Sequence, residues 1–411
     1  MVAFSASGTD RPSSPTSRVS ALESRVLEAI DDEETLQLLC DLIAEPSENP
    51  PGNEERCAQL LASFLEQRGV ACRLDQAAPG RPNLYAKVGA GGPTLVMCGH
   101  LDTVPAGEGW TLDPFSAAVT DGRVYGRGSC DMKAGLASAA AALLAVNKSG
   151  ISLKGSFALH AVIDEEVGSA GARKAAAEQH AHWAIVTEPS GSQVLARGNG
   201  QLNFEIVFHG KAVHSSHPED GRNAIHDAAA FVVLVEEETR RLSGSGLAGI
   251  GPATYSVGIV KGGRGGSTVA DRCELTLDRR VLPTEDLEQV EEQVRLLLAR
   301  LGTERPGLDW ELSRTVAFPP LKGSGNGPLE KVLTDVLADI GRPVTEPRPG
   351  MRFATDAAWY EAAGCPTVVF GPGDVAIAHQ PDEHVALGEV ELVSRALALC
   401  GVCLLYTSRC V

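Results

Sequence analysis

Gly99-His100-Leu101-Asp102-Thr103-Val104-Pro105 decides the reading of this chain, because four further groups of metal-ligand side chains follow it in order. They are Asp131 in Gly126-Arg127-Gly128-Ser129-Cys130-Asp131, the pair Glu165-Glu166, Glu188 in Thr187-Glu188-Pro189, and His379 in Ala378-His379-Gln380-Pro381-Asp382-Glu383. Two imidazoles and several carboxylates form the donor set expected around a pair of zinc-like ions. A carboxylate left beyond the ligands can move a proton. The combination points to metal-assisted hydrolysis. Each motif alone is weak, since a lone His-x-Asp is usually a surface turn and an acidic run usually faces solvent.

Their placement carries the argument. Residues 94–98, 156–163, 183–186 and 366–370 read as short apolar strands bounded by turn residues. His100, Glu165-Glu166, Glu188 and His379 follow the carboxyl ends of these four runs, His379 after a glycine-rich loop. Mostly parallel sheets bind ligands in the crevice beyond those ends. Neighbours within a strand point to opposite faces. Glu165 and Glu166 can therefore serve one site only from a loop, and Val167-Gly168-Ser169-Ala170-Gly171-Ala172 permits the turn. Asp131 precedes an alanine-rich helix expected over residues 132–147, where both a helix cap and a metal ligand are open to it.

With these residues in this order, the chain resembles the two-zinc amidohydrolases that include acetylornithine deacetylase, succinyl-diaminopimelate desuccinylase, aminoacylase and glutamate carboxypeptidase. The resemblance covers about residues 30–400. The loop Phe370-Gly371-Pro372-Gly373-Asp374-Val375-Ala376-Ile377-Ala378-His379 is most similar to the acetylornithine deacetylase branch. The resemblance implies hydrolysis of an N-acyl amino acid of the N-acetylornithine kind by a water activated between two metals. It implies that His100 and Glu188 hold one ion, Glu166 and His379 the other, and Asp131 bridges them. Glu165 is then general base and acid, Asp102 orients His100, and a cis peptide follows Asp131. His214, in Gly210-Lys211-Ala212-Val213-His214-Ser215-Ser216, matches a family histidine that stabilises the oxyanion, often from a partner subunit; Gly221-Arg222-Asn223-Ala224 follows it at the family's distance and adds Asn223.

For the substrate carboxylate, Arg280 in Asp278-Arg279-Arg280 matches the family's Asp-x-Arg, and Arg352 is a second candidate. Ser267 stands where many members carry an asparagine, which puts the usual substrate anchoring in doubt. Asp356 is open to two roles, partner of an ornithine-type amine or support behind the site. Zinc suits the mixed donors, and cobalt or manganese supports the same chemistry. A dipeptidase or carboxypeptidase with the same metals is the neighbouring alternative. A non-catalytic binding protein of the same fold is the second, and it predicts loss of a ligand or of Glu165, neither of which is lost.

The expected architecture is an α/β catalytic domain with a mostly parallel sheet and an inserted α+β, ferredoxin-like lid. Residues 21–193 and 313–401 are assigned to the catalytic domain and 194–312 to a lid that also forms a homodimer, as the resemblance implies. The lid rests on a β-α-β-β-α-β pattern, with strands at 202–208, 253–260, 272–281 and 308–312 and helices at 222–241 and 284–301. A chain of 411 residues exceeds a usual single core. Its net charge of −17 argues against nucleic-acid or anionic-membrane binding. No membrane-spanning apolar stretch is read in it. Ten cysteines without regular spacing suit a reducing compartment, hence the cytoplasm. Residues 1–20, rich in Ser, Thr and Pro, are expected to be a disordered tail. Residues 402–411 are read as a non-native tail beyond the last helix, whose removal should change nothing.

Overall fold

The computed structural model describes residues 20–323, 327–344 and 350–406. Its strands are β1 (Cys72–Ala78), β2 (Arg81–Gly89), β3 (Thr94–His100), β4 (Ala118–Thr120), β5 (Arg123–Tyr125), β6 (Ser156–Val162), β7 (Trp183–Val186), β8 (Gly200–His209), β9 (Thr254–Gly262), β10 (Arg272–Val281), β11 (Asp309–Phe318), β12 (Thr367–Val369) and β13 (His384–Ala386). Its helices are α1 (Ala21–Glu28), α2 (Asp32–Ala44), α3 (Glu55–Glu66), α4 (Ala134–Lys148), α5 (Ala170–Glu178), α6 (Ala224–Leu242), α7 (Leu287–Glu304), α8 (Pro328–Asp339), α9 (Ala357–Ala362) and α10 (Leu387–Leu405). Of the tail expected over residues 1–20, only Ser20 lies within the described residues, where it caps α1.

The four apolar runs come together as neighbours. The six-stranded sheet has the order β1-β2-β6-β3-β7-β12. β6, β3, β7 and β12 are parallel, while β2 and β1 continue the sheet antiparallel. Parallel strands are covered on both faces, which is why these runs are apolar without alternation. α4 packs against the sheet, α2 and α10. Its alanines let backbones approach closely, and residues 134–146 are all buried. The segment Ser129–Lys148 is long and apolar enough to count as a membrane span, contrary to the sequence expectation, but 94% of its apolar window lies inside the protein. It is a core helix.

The second sheet follows the expected β-α-β-β-α-β order. β11-β8-β10-β9 is wholly antiparallel, with α6 and α7 over one face. Leu202, Phe204, Ile206 and Phe208 of β8 point into the core with Phe231, Val294 and Leu298. Alternation then turns Gln201 and Asn203 to the other face. β11 runs to Phe318, six residues beyond the expected end of this unit at 312. A register shift between Arg314 and Val316 breaks its alternation, and the polar Ser313–Thr315 run hid the strand.

Two local expectations are corrected. α4 begins at Ala134 with Lys133 at its cap position, so Asp131 is not a helix cap. Asp131 lies in an irregular turn with extended backbone, and the Asp131–Met132 peptide is cis. At the other end, α10 continues through residues 402–405, with Val402, Cys403 and Leu405 buried. These residues are core, not tail; residues 407–411 lie outside the described residues.

Candidate metal centre

His100 ends β3 and is fully buried. Its Nδ1 lies 2.8 Å from the backbone carbonyl of Asp102, which turns Nε2 toward Asp131. The Asp102 carboxylate is 3.8 Å from that nitrogen. It accepts instead from the backbone N–H of Glu165 (3.1 Å) and Glu166 (3.2 Å) and from Asn49 Nδ2 (2.9 Å). The hydrogen bond to His100 Nδ1 is thus made by the Asp102 carbonyl, and the Asp102 side chain holds the acidic loop. Asp164, in a left-handed conformation (φ 72°), helps to set that loop by accepting from Arg81 (2.9 Å) and Asn49 (3.1 Å).

Asp131 stands between two imidazoles. Its Oδ1 is 3.0 Å from His100 Nε2 and its Oδ2 is 3.2 Å from His379 Nε2. Glu188 Oε1 lies 3.7 Å from His100 Nε2, and Glu166 Oε2 lies 3.2 Å from His379 Nε2. Two triads result, His100–Asp131–Glu188 and Asp131–Glu166–His379, sharing Asp131, with the donor atoms of each within 4.8 Å of one another. Glu383 steadies the shared residue by accepting from the backbone N–H of Cys130 (2.9 Å) and Asp131 (3.0 Å), and it is ion-paired with buried Arg127. The Thr187-Glu188 turn is held between two glycines. A Cβ on Gly135 would lie 2.2 Å from the Thr187 carbonyl oxygen, and one on Gly371 would meet the same atom at 2.2 Å.

The electrostatics ask for cations. Burial, then the charge of Glu188, pushes Glu165 well above the usual carboxylate range. Glu188 is raised by burial and by Asp131, and Glu166 likewise. Asp131 is buried too, but hydrogen bonds from His100 and His379 outweigh that and hold it low. Hydrogen bonds to Asp131 and Glu166 carry His379 up to about 10. His100 rises despite burial, because Glu188 and Asp131 face it. Among the described residues, no Lys or Arg pairs with Asp131, Glu165, Glu166 or Glu188. Among the described residues, the two imidazoles are the cluster's only groups able to carry positive charge, and divalent ions would supply it instead. The donor set fits a dinuclear metal centre.

The centre opens into a cavity of about 410 Å³ between the two sheets. Asp131, Glu165, Glu166, Glu188 and His379 line one side, and Gln201, Asn203, Arg280, Val316 and Phe318 the other. Arg280 Nε donates to Asp278 Oδ1 (3.0 Å), and Gln201 Nε2 donates to Asp278 Oδ2 (2.8 Å). Gln201, Asn203 and Phe318 were missed in the sequence, although the polar alternation of β8 marks the first two.

The remaining expected residues lie elsewhere in the single chain. Asp356 is buried against the Ser169 hydroxyl (2.5 Å), outside the cavity lining, and burial pushes it up to about 7. Arg352 is exposed and donates from Nε to the Ile250 carbonyl (2.8 Å). His214 is exposed with Nδ1 2.7 Å from Ser216 Oγ. Asn223 caps α6 by accepting from Ile225 N–H (2.9 Å), and Ser267 sits exposed in the β9–β10 turn. None of these four lines the cavity.

Residues 96–400 match peptidase family M20/M25/M40. The chain belongs to this family. It is 32% identical to an acetylornithine deacetylase of Proteus mirabilis, over 87% of this chain and 93% of that one. It is 33% identical to a succinyl-diaminopimelate desuccinylase of Stenotrophomonas maltophilia, over 87% and 95%. Its fold matches a tripeptidase of Staphylococcus aureus (TM-score 0.73, 22% identity, 91% of this chain and 99% of that one). It also matches an M20 family metallo-carboxypeptidase of Sulfolobus solfataricus (TM-score 0.73, 21% identity, 90% and 99%). This M20 member is a metal-dependent amidohydrolase, as its motifs imply.

Proposed function

We propose that this M20 enzyme hydrolyses the amide of an N-acyl amino acid, with N-acetylornithine the first compound to test. The carrying observation is the cavity itself. A carboxylate cluster with an extra, non-triad glutamate faces an arginine across it. Two divalent ions, zinc by donor type, would be held by His100, Asp131, Glu188, Glu166 and His379 and would supply Lewis acidity to the amide and to the attacking water.

Glu165 does the proton work. Its burial beside Glu188 raises its proton affinity, which suits a group that takes a proton from water and returns it to the leaving amide nitrogen. Arg280 receives the substrate α-carboxylate. Asp278 occupies its Nε, which leaves the two terminal nitrogens as a fork. We assign residues 21–193 and 319–405 to the metal-binding domain and residues 194–318, through the end of β11, to the lid. A homodimer would form through the lid, because β9 is a sheet edge exposing Ile259 and Val260. His214, Asn223 and Ser267 would then act at the partner's cavity. Buried thiols such as Cys57, Cys98 and Cys273 favour the cytoplasm.

The test is release of free amine from N-acetyl and N-succinyl amino acids and from dipeptides, using zinc-reconstituted protein. Turnover of N-acyl amino acids that falls roughly 10²–10⁴-fold in Glu165→Gln, at unchanged metal content, is expected. Turnover of dipeptides alone would move the enzyme to the peptidase branch. No change in Glu165→Gln would remove Glu165 from the proton transfer.

A further inference from the structure

Glu165 and Glu166 are adjacent in the acidic loop but are held in different ways. The Glu166 carboxylate accepts from the Val104 N–H (3.2 Å) and lies 3.2 Å from His379 Nε2. The Glu165 carboxyl has no hydrogen-bond or ion-pair partner among the described residues. Only its backbone N–H is engaged, on Asp102. Its place in the cavity is therefore set by the backbone of the loop between β6 and α5. Asp102, Asn49 and Arg81 hold the start of that loop, at residues 164–166. Its far end folds back on the Asp164 carbonyl, which accepts from the N–H groups of Gly168 (2.9 Å) and Ser169 (2.5 Å).

Ser169 is fully buried and left-handed (φ 53°). It precedes α5, where a serine usually caps the helix, yet its side chain makes no capping bond. Ala170 N–H donates instead to Asp164 Oδ2 (3.4 Å), and Gly171 N–H to the Ile163 carbonyl (3.0 Å). Asp356 behaves alike at α9. It stands in the cap position without capping, and Thr355 Oγ1 accepts from the Ala357 N–H (3.1 Å). Two residues of the best capping types thus leave that work to others and bond each other, Ser169 Oγ donating to Asp356 Oδ1 at 2.5 Å. Among the described residues this hydroxyl is the only hydrogen-bond donor to the buried Asp356 carboxylate. The bond ties the end of the acidic loop to the stretch that re-enters the first domain after the lid. Phe353 and Ala354 of that stretch line the metal cavity with Glu165, whereas Ser169 and Asp356 do not.

We propose that Ser169 and Asp356 are a positioning pair for Glu165: their bond fixes the far end of the loop and so the point at which the Glu165 carboxyl enters the cavity. This rests on the reading of Glu165 as the proton-transfer group and deepens it. Neither residue touches substrate in this role. A reacting group displaced by about 1 Å loses on the order of 10²-fold in rate, so losing the bond is felt in the chemical step and not in substrate binding.

The experiment uses the zinc-loaded enzyme and whichever amide it cleaves fastest. It measures kcat, KM, zinc content and melting temperature for Ser169→Ala, Asp356→Ala, Asp356→Asn and the double alanine variant, and for Ser169→Ala in a Glu165→Gln background. In Ser169→Ala, kcat should fall about tenfold or more, with KM within about twofold. Zinc content should hold, because Glu166 keeps its own partners. The double variant should be no worse than the poorer single one. Asp356→Asn retains an acceptor oxygen for the hydroxyl and should recover most of kcat. In the Glu165→Gln background Ser169→Ala should cost nothing further, which a general loss of structure would not spare. Ser169→Gly, which a left-handed backbone favours, reads the same loss should Ser169→Ala melt too low to assay. Wild-type kcat without the hydroxyl, an equal loss in the Glu165→Gln background, or Asp356→Asn no better than Asp356→Ala overturns the pair and leaves the role of Glu165 standing. Full activity in Glu165→Gln overturns both.

Discussion

His160 shows what burial does to a titratable side chain inside the sheet. It lies on β6 with Nδ1 2.9 Å from the Tyr360 hydroxyl and its ring edge-on to Tyr85. Burial first, and the nearby charge of Arg73 second, push its pKa from 6.5 down to about 3. The unfolded chain takes up that proton near 6.5, so between the two values it binds more protons than the folded one. Stability from this group is present above about pH 6.5 and is lost as pH falls toward 3. His160→Gln should flatten the acid side of a urea-unfolding series by an amount on the order of a few kcal/mol. Parallel curves for variant and wild type over that window would show that His160 is not the cause. The same scale explains which residues could be read in advance. His100, Asp131, Glu166, Glu188 and His379 were legible as a set, because their chemistry is scarce outside metal sites. The positions of Arg352 and Asp356 were not, because an arginine and an aspartate have many uses. Only their partners, the Ile250 carbonyl and the Ser169 hydroxyl, show how they are used here.

At the scale of elements, α4 fixes Glu188 by contact. Gly135 lies against the Thr187 carbonyl, where an added Cβ would sit 2.2 Å away. Gly135→Ala must push the turn and the Glu188 ligand with it. Weaker zinc binding by isothermal titration, together with a lower melting temperature, is expected. Unchanged affinity would mean that Glu188 does not depend on this packing. α10 gives a second prediction, the reverse of the one drawn from sequence. Val402 and Leu405 are buried at 0% and 1% exposure. Each contributes roughly 1.5–3 kcal/mol of burial. Truncation after Gly401 should therefore lower thermal stability severely, whereas Tyr406→Ala, at a more exposed position, should cost little. Equal melting temperatures for the truncated and full chains would return these residues to a tail. The helix end was misread because nothing in the local composition marks where packing against α4 stops.

Across the whole molecule, the metal centre gathers ligands from both sides of the inserted sheet, with His379 arriving after it. Ion binding and assembly of the first domain are thus linked. Zinc at about a hundred times its dissociation constant should add about 2.7 kcal/mol per site. EDTA should lower the melting temperature, and Asp131→Asn should abolish most of the zinc response, since Asp131 belongs to both triads. A melting temperature indifferent to zinc and EDTA would count against the centre. The cavity also needs both sheets, because Arg280 and Gln201 come from one and Glu165 from the loop that follows β6 of the other.

The sequence by itself determined the four apolar runs, the ligands at their ends and the β-α-β-β-α-β order of the inserted unit. These are local properties: apolar periodicity and the residue that follows a strand are written within a few positions. Only the tertiary structure decided that the Asp102 carboxylate holds the Glu165-Glu166 loop, that Glu383 steadies Asp131, and that Gln201 shares a cavity with the acidic cluster. Those facts depend on atoms a few ångströms apart in space and up to hundreds of residues apart in sequence, and hydrogen bonding is decided by that distance alone.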